Sequence, residues 1–150
     1  FAEAGADLIS VHAENANAAE ALDRIHALGL NAGLVLQLQT PVAAARPLLP
    51  KIDMLTLLGT LIGIKGVGLA DEAPDRLREA RAMAAAAKQP QRIIVAADGG
   101  IREHTVPMLR KAGAETVVMG SLAFGAADFA ARIKWLHGLA RTEAAPLIPD

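Results

Sequence analysis

Two side chains in this sequence stand where an apolar, strand-like run gives out. Asp98 closes Ile93-Ile94-Val95-Ala96-Ala97 and is followed by Gly99-Gly100, while His12 closes Leu8-Ile9-Ser10-Val11, with Glu14 two residues further on. A carboxylate carried by a buried strand to a glycine turn can take or return a proton on a ligand that the glycines allow close to the backbone. Asp-Gly-Gly is equally the composition of a plain turn. Neutral imidazole and carboxylate together suit a divalent ion such as zinc, so His12 and Asp98 are candidate metal ligands, with Glu14 as a further carboxylate. Three glycine-bearing turns offer a second chemistry. Gly99-Gly100, Gly120-Ser121 and the pair Gly63 and Gly66 each present backbone N–H groups able to hold an anion such as phosphate. Lys65, between two of those glycines, could add a positive charge.

These groups act together only if the chain brings the ends of its strands to one rim. Leu8 to His12 reads as a β-branched strand. Ala18, Ala21, Leu22, Ile25 and Leu28 recur at helical spacing, with Asn15 or Asn17 as cap and Gly29 as stop. Asn31 to Leu38 is a second strand, continuously apolar as when both faces are covered. Thr40-Pro41 opens a short helix to about Leu49, and Ile52 to Leu58 is the third strand. The longest connection follows, with four glycines between Gly59 and Gly68. Pro74 to about Lys88 is a helix, the Asp98 strand comes next, and a helix from Glu103 to Lys111 follows. Thr116 to Met119 is the last strand and Ala126 to Leu139 the last helix. Residues 1–140 thus read as one unit, and 141–150 as a loose tail.

Five strand-plus-helix units in succession predict a parallel sheet with right-handed crossovers, either doubly wound and open or part of an eight-fold barrel. The 150 residues suit the open sheet, since a complete barrel takes about 200 or more. In both architectures, chemistry collects at the carboxyl ends of the strands. His12, Glu14, Gln37, Gln39, the Gly59–Gly68 loop, Asp98-Gly99-Gly100 and Gly120-Ser121 fall there. Asp7, Asp53 and Glu115 fall at strand starts, in capping or solubilising positions. Asp23, Arg24, Arg78, Glu79 and Arg81 read as solvated helix faces, and His26, His104 and His137 as helix residues without a ligand role.

Composition narrows the partners. Hydrophobic residues make up 53% and aromatics 3%, which suits helices on an aliphatic sheet. A net charge of -1 with no basic run argues against nucleic acid. No run approaches the roughly 18 apolar residues of a membrane span. The absence of cysteine excludes disulfides and fits a reducing compartment, so a cytoplasmic location is expected. The chain opens at Phe1 with Ala4-Gly5-Ala6-Asp7 already reading as a helix-to-strand joint, the pattern repeated at Ala112-Gly113-Ala114-Glu115, so an upstream part is expected.

In order along the chain, His12-Ala13-Glu14, Asn31-Ala32-Gly33-Leu34 with Thr40-Pro41-Val42, Ile52-Asp53-Met54, Asp98-Gly99-Gly100-Ile101, Ala112-Gly113-Ala114 and Gly120-Ser121-Leu122-Ala123-Phe124 resemble the ribulose-phosphate 3-epimerase family. The resemblance implies a phosphate-binding TIM barrel of which this chain would supply the last five of eight units. It implies epimerisation at carbon 3 of a ketose phosphate through an enediolate. The substrate would be ribulose 5-phosphate/xylulose 5-phosphate or a related sugar phosphate such as allulose 6-phosphate. The family holds a divalent metal, most often zinc, with Fe2+, Mn2+ or Co2+ as alternatives, between two histidines and two aspartates. By this resemblance His12 and Asp98 match one of each, and Asp98 is also one of the acid–base pair. Gly63, Gly66, Gly99, Gly100, Gly120 and Ser121 match the phosphate grip. The second aspartate, second histidine and a serine would come from upstream strands.

A five-unit piece would leave open edges, which predicts poor stability or assembly, a homo-oligomer among the forms. The chain departs from the family at Gln37-Leu38-Gln39 and at Leu58-Gly59-Thr60-Leu61-Ile62-Gly63, and both departures bear on which sugar is bound. Two other readings stand beside the epimerase. One is another phosphate-barrel lyase or decarboxylase, and the other a non-catalytic domain that binds a phosphorylated ligand.

Overall fold

A computed structural model describes residues 1–64, 66–87 and 92–139. Five strands, β1 (Leu8–His12), β2 (Asn31–Leu36), β3 (Met54–Leu58), β4 (Ile94–Asp98) and β5 (Thr116–Val118), lie side by side in chain order, every pair parallel. A doubly wound sheet reverses its strand order part-way. This one does not, so of the two architectures it is an arc of a parallel α/β barrel. The connecting helices are α1 (Ala18–Ala27), α2 (Ala73–Ala86), α3 (Val106–Lys111), α4 (Ser121–Phe124) and α5 (Phe129–Gly138). Among the described residues no helix is long and apolar enough to cross a membrane.

The register divides the sheet into two faces, because residues paired across parallel strands share a side. Val11, Leu34, Leu55 and Val95 form one row, and Leu36, Leu57 and Ala97 the next. These pack with Leu22 and Ile25 of α1, Leu77 and Ala80 of α2 and Leu109 of α3 into the core. Leu22, Leu34, Leu55 and Leu109 have no exposed surface, and each such leucine contributes roughly 1.5–3 kcal/mol by leaving water. The opposite face carries Ser10, His12, Gly33, Val35, Thr56, Ala96 and Asp98. It is less covered: Ile94 and Val118, on this face, are 39% and 50% exposed. Continuous apolarity therefore corresponds here to one helix-covered face and one inward barrel face. At Gly33 a Cβ would lie 2.1 Å from Ser10 Oγ, so the absent side chain lets β1 and β2 share this narrow face.

At the amino ends of the strands, carboxylates tie neighbouring elements together. Asp53 Oδ2 accepts from the Ala32 N–H (2.8 Å). Glu115 Oε1 accepts from Arg81 Nη1 (2.8 Å), and Oε2 pairs with Arg92. Glu115 thus joins α2 to the start of β5. The expected solvated role of Arg81 is corrected, since its side chain is about one-fifth exposed and half of an ion pair. The His26 Nε2–H donates to the Lys51 carbonyl (3.1 Å).

Local differences from the sequence reading have local causes. β2 ends at Leu36, two residues early, because residues 37–39 turn. The segment after Pro41 is a 3-10 helix (Val42–Lys51), Pro47 and Pro50 removing the donors an α-helix would need. Asn17 occupies the N-cap of α1 without a side-chain cap bond. The final helix is preceded by α4, and its cap is Asp128, which accepts from the Ala131 N–H (2.9 Å). The predicted tail, and Lys88 at the predicted end of α2, lie outside the described residues.

Candidate functional site

Because all five strands are parallel, their carboxyl ends form a single rim. His12, the Gln37–Thr40 turn, the loop beginning at Gly59, Asp98-Gly99-Gly100 and Gly120-Ser121 all lie on it. Lys65 lies outside the described residues.

The Asp98 turn is the most closely held part of the rim. Gly99 and Gly100 have φ of 84° and 69°, a left-handed pair that glycine alone adopts readily. From the β3 side, the Gly59 N–H donates to the Asp98 carbonyl at 2.7 Å. A Cβ on Gly99 would sit 2.4 Å from Thr60 Oγ1, and one on Gly100 2.7 Å from Leu69 Cα. From the α3 side, buried Thr105 donates its hydroxyl to the Gly100 carbonyl (2.8 Å) and accepts from the Arg102 N–H (2.8 Å). The loop after β3 and the start of α3 therefore meet on this turn, and the Asp98 carboxylate projects from the inward face of β4 beside it. Gly63, Gly66 and Gly120 also have positive φ, and nothing lies within 4 Å of where their Cβ atoms would be, so these backbones face open space.

A second cluster forms at the ends of β1 and β2. Glu14 Oε1 accepts from the Gln37 N–H (2.9 Å) and from the Thr40 hydroxyl. Glu14 Oε2 lies 3.4 Å from His12 Nδ1, too long for a well-formed hydrogen bond, and this buried Nδ1 has no other partner among the described residues. On the other side of the same turn, Arg76 of α2 donates to the Thr40 and Gln37 carbonyls at 2.8 and 2.9 Å. The turn is thus held between an anion and a cation. Partial burial raises the Glu14 carboxyl, but hydrogen bonds from Thr40, Gln37 and its own N–H, with His12 beside it, outweigh that and hold it below the ordinary value of 4.5. Glu14 is therefore a positioning group for the Gln37–Thr40 turn.

A lowered pKa means that ionised Glu14 favours the folded state. Its contribution is complete above 4.5 and fades as pH falls through the lower folded-state value. Urea unfolding between about pH 6 and 3 is expected to show a steeper acid loss of stability for the wild type than for Glu14→Gln. Equal slopes would remove Glu14 from the account.

The family model described as Ribulose-phosphate 3 epimerase family matches residues 1–124. The chain belongs to the ribulose-phosphate 3-epimerase family. Ribulose-phosphate 3-epimerase of Bacillus subtilis (strain 168) is 31% identical over 139 residues, covering 92% of this chain and 64% of that protein. Ribulose-phosphate 3-epimerase 2 of Cupriavidus necator is 37% identical over 136 residues, covering 85% and 54%. The Aquifex aeolicus ribulose-phosphate 3-epimerase is 34% identical over 140 residues, covering 93% and 62%. The chain thus spans between about half and two thirds of the length of these relatives. A crystal structure of 3-hexulose-6-phosphate synthase shares the fold, with a TM-score of 0.68 and 24% identity over 91% of this chain and 63% of that one.

Within the ribulose-phosphate 3-epimerase family framework, a metal needs several donors at one point. His12 and Asp98 share the inward face, with β2 and β3 between their strands. Among the described residues no three His, Asp or Glu side chains gather closely enough to hold an ion. Among the described residues the donors do not by themselves form a metal centre, and His12 Nδ1 lies 3.4 Å from Glu14 Oε2.

Arg76 and Thr105 were not singled out by residue type, and Thr40 only as the opening of a helix, because the partner of each is chosen by the fold: the Gln37 and Thr40 carbonyls for Arg76, the Glu14 carboxylate for Thr40 and the Gly100 carbonyl for Thr105. Thr105 alone carried a local signal, a Thr two residues before Pro107 at the first turn of a helix.

Proposed function

We propose that this protein epimerises a ketose phosphate at carbon 3, with Asp98 as one of its two acid–base groups. One observation carries the reading: in a chain of this family, Asp98 stands on the inward face at the strand-end rim, beside a left-handed Gly99-Gly100 turn. A sugar phosphate anchored by backbone N–H groups of Gly99 and Gly100 and of Gly120 and Ser121, with Gly63 and Gly66 closing over it, would present its carbonyl-adjacent carbon to that carboxylate. Asp98 takes the carbon 3 proton on one face. Epimerisation requires a proton returned on the other face, so a second acid–base group is needed opposite. That group would come from the part of the relatives' length that this chain does not span.

Ribulose 5-phosphate and xylulose 5-phosphate are the first substrates to examine, and allulose 6-phosphate the next, because the Gln37–Thr40 turn and the loop after Gly59 depart from the family pattern. Asp98 would be this chain's donor to a divalent ion, zinc first, completed by donors from elsewhere. A reducing, cytoplasmic setting suits a chain with no cysteine.

The test is solvent exchange. The full-length protein carrying these residues is incubated with each ketose phosphate in heavy water, and deuterium at carbon 3 is followed by NMR. Incorporation with accumulation of the epimer is expected for one of them. Tight binding with no exchange for any of them would favour the non-catalytic reading instead.

A further inference from the structure

The Asp98 turn poses a conformational problem. Two successive glycines in left-handed conformations must be held there, although glycine loses more freedom on folding than any other residue. Backbone and packing contacts come from the β3 side, through the Gly59 N–H on the Asp98 carbonyl and Leu69 against Gly100. Among the described residues one side chain bonds to the turn itself, and that is Thr105. Its hydroxyl is 2.8 Å from the Gly100 carbonyl, with the Arg102 carbonyl a secondary acceptor at 3.1 Å, and it accepts from the Arg102 N–H at 2.8 Å. Thr105 is only 4% exposed, so water cannot readily replace these bonds.

We propose that Thr105 is a positioning residue of the active site, its buried hydroxyl setting the orientation of the Gly100–Ile101 peptide and so of the anion-holding turn next to Asp98. This rests on the reading of Asp98 and the Gly99-Gly100 turn given above. The peptide is planar and trans, so a carbonyl drawn toward Thr105 turns the Ile101 N–H the opposite way. The hydroxyl also ties Thr105, at the N-cap of α3, to Gly100 and Arg102, which makes the start of α3 and the turn a single unit. Without it, the pair of glycines can sample other peptide orientations at little cost. The carboxylate and the phosphate anchor would then no longer be held at a constant separation.

Thr105→Val keeps the shape and removes the hydroxyl, whereas Thr105→Ser keeps the hydroxyl and removes a methyl. Both are compared with wild type at a temperature where each is fully folded by circular dichroism. For Thr105→Val, kcat/KM for the active ketose phosphate is expected to fall roughly tenfold, the size of one hydrogen bond, mainly through kcat. Thr105→Ser is expected to stay within about twofold. Backbone amide exchange at Gly99, Gly100 and Ile101 should accelerate about tenfold in Thr105→Val and not in Thr105→Ser, while exchange in β2 stays unchanged. That readout needs no turnover, so an inactive wild type would count against the proposed reaction and leave this test standing. A folded Thr105→Val protein with wild-type amide protection at the turn would overturn the inference. So would unchanged kcat/KM in an active enzyme.

Discussion

Asp98→Asn is expected to remove carbon 3 exchange with solvent, lowering turnover at least about a hundredfold while leaving the protein folded. The change replaces a group that can accept a proton by an amide of nearly the same shape. It leaves in place the Asp98 backbone carbonyl, which receives the Gly59 N–H at 2.7 Å and anchors the β3 loop to the turn. Stability should therefore stay within about 0.5 kcal/mol of wild type, the range of substitutions away from structural features. Binding of the sugar phosphate should persist, because the anchor in this reading is backbone. The decisive comparison is deuterium uptake at carbon 3 in the two proteins, with binding measured by calorimetry alongside. An Asn variant that exchanges as fast as wild type would move the proton chemistry to another residue.

Gly100→Ala is expected to be the most damaging single-methyl change at the rim. An alanine at φ 69° costs about 1–2 kcal/mol from backbone conformation alone. Its Cβ would also meet Leu69 Cα at 2.7 Å and Leu69 N at 2.9 Å, backbone atoms that cannot rotate away. The loop from Gly59 would have to lift from the turn, breaking the fit that sets Asp98 beside it. Chemical denaturation should register a loss of more than about 2 kcal/mol, with activity falling further than the fraction unfolded explains. Gly63→Ala is the informative control. Gly63 has φ 80°, close to that of Gly100, but nothing within 4 Å of its Cβ position, so only the backbone cost applies. If the two variants proved equally stable, the packing of Leu69 on the turn would carry no weight.

The strands were legible in this sequence because each is a short, nearly unbroken apolar run bounded by glycine or a polar joint, and all five appear within two residues of the expected ends. Helix ends were less so. Thr40 looked like a cap, but its hydroxyl goes to Glu14, a residue 26 positions away. Asn17 looked like a cap and makes no cap bond. In both cases a polar side chain's partner is selected by what the fold brings near, and local pattern carries no trace of that. Arg81 is the same lesson on a helix: its exposed-looking spacing conceals an ion pair with Glu115, 34 residues on.

For the site, residue order and type were enough to place Asp98, the glycine turns and His12 at strand ends, since parallel strands with helical crossovers must present their carboxyl ends together. Sequence alone also settled that Gly99 and Gly100 could take conformations closed to other residues. Three matters waited for the tertiary structure. Sheet order decided between an open doubly wound sheet and a barrel arc, because order depends on which strands pair and not on what they contain. The fold decided that the His12 ring lies against Glu14, at 3.4 Å from Nδ1 to Oε2, because the turn after β2 brings its own N–H and hydroxyl donors to the same carboxylate. The hydrogen bond from Thr105 decided what holds the Asp98 turn, since a hydroxyl has a specific role only where burial excludes water and a particular carbonyl is brought within reach.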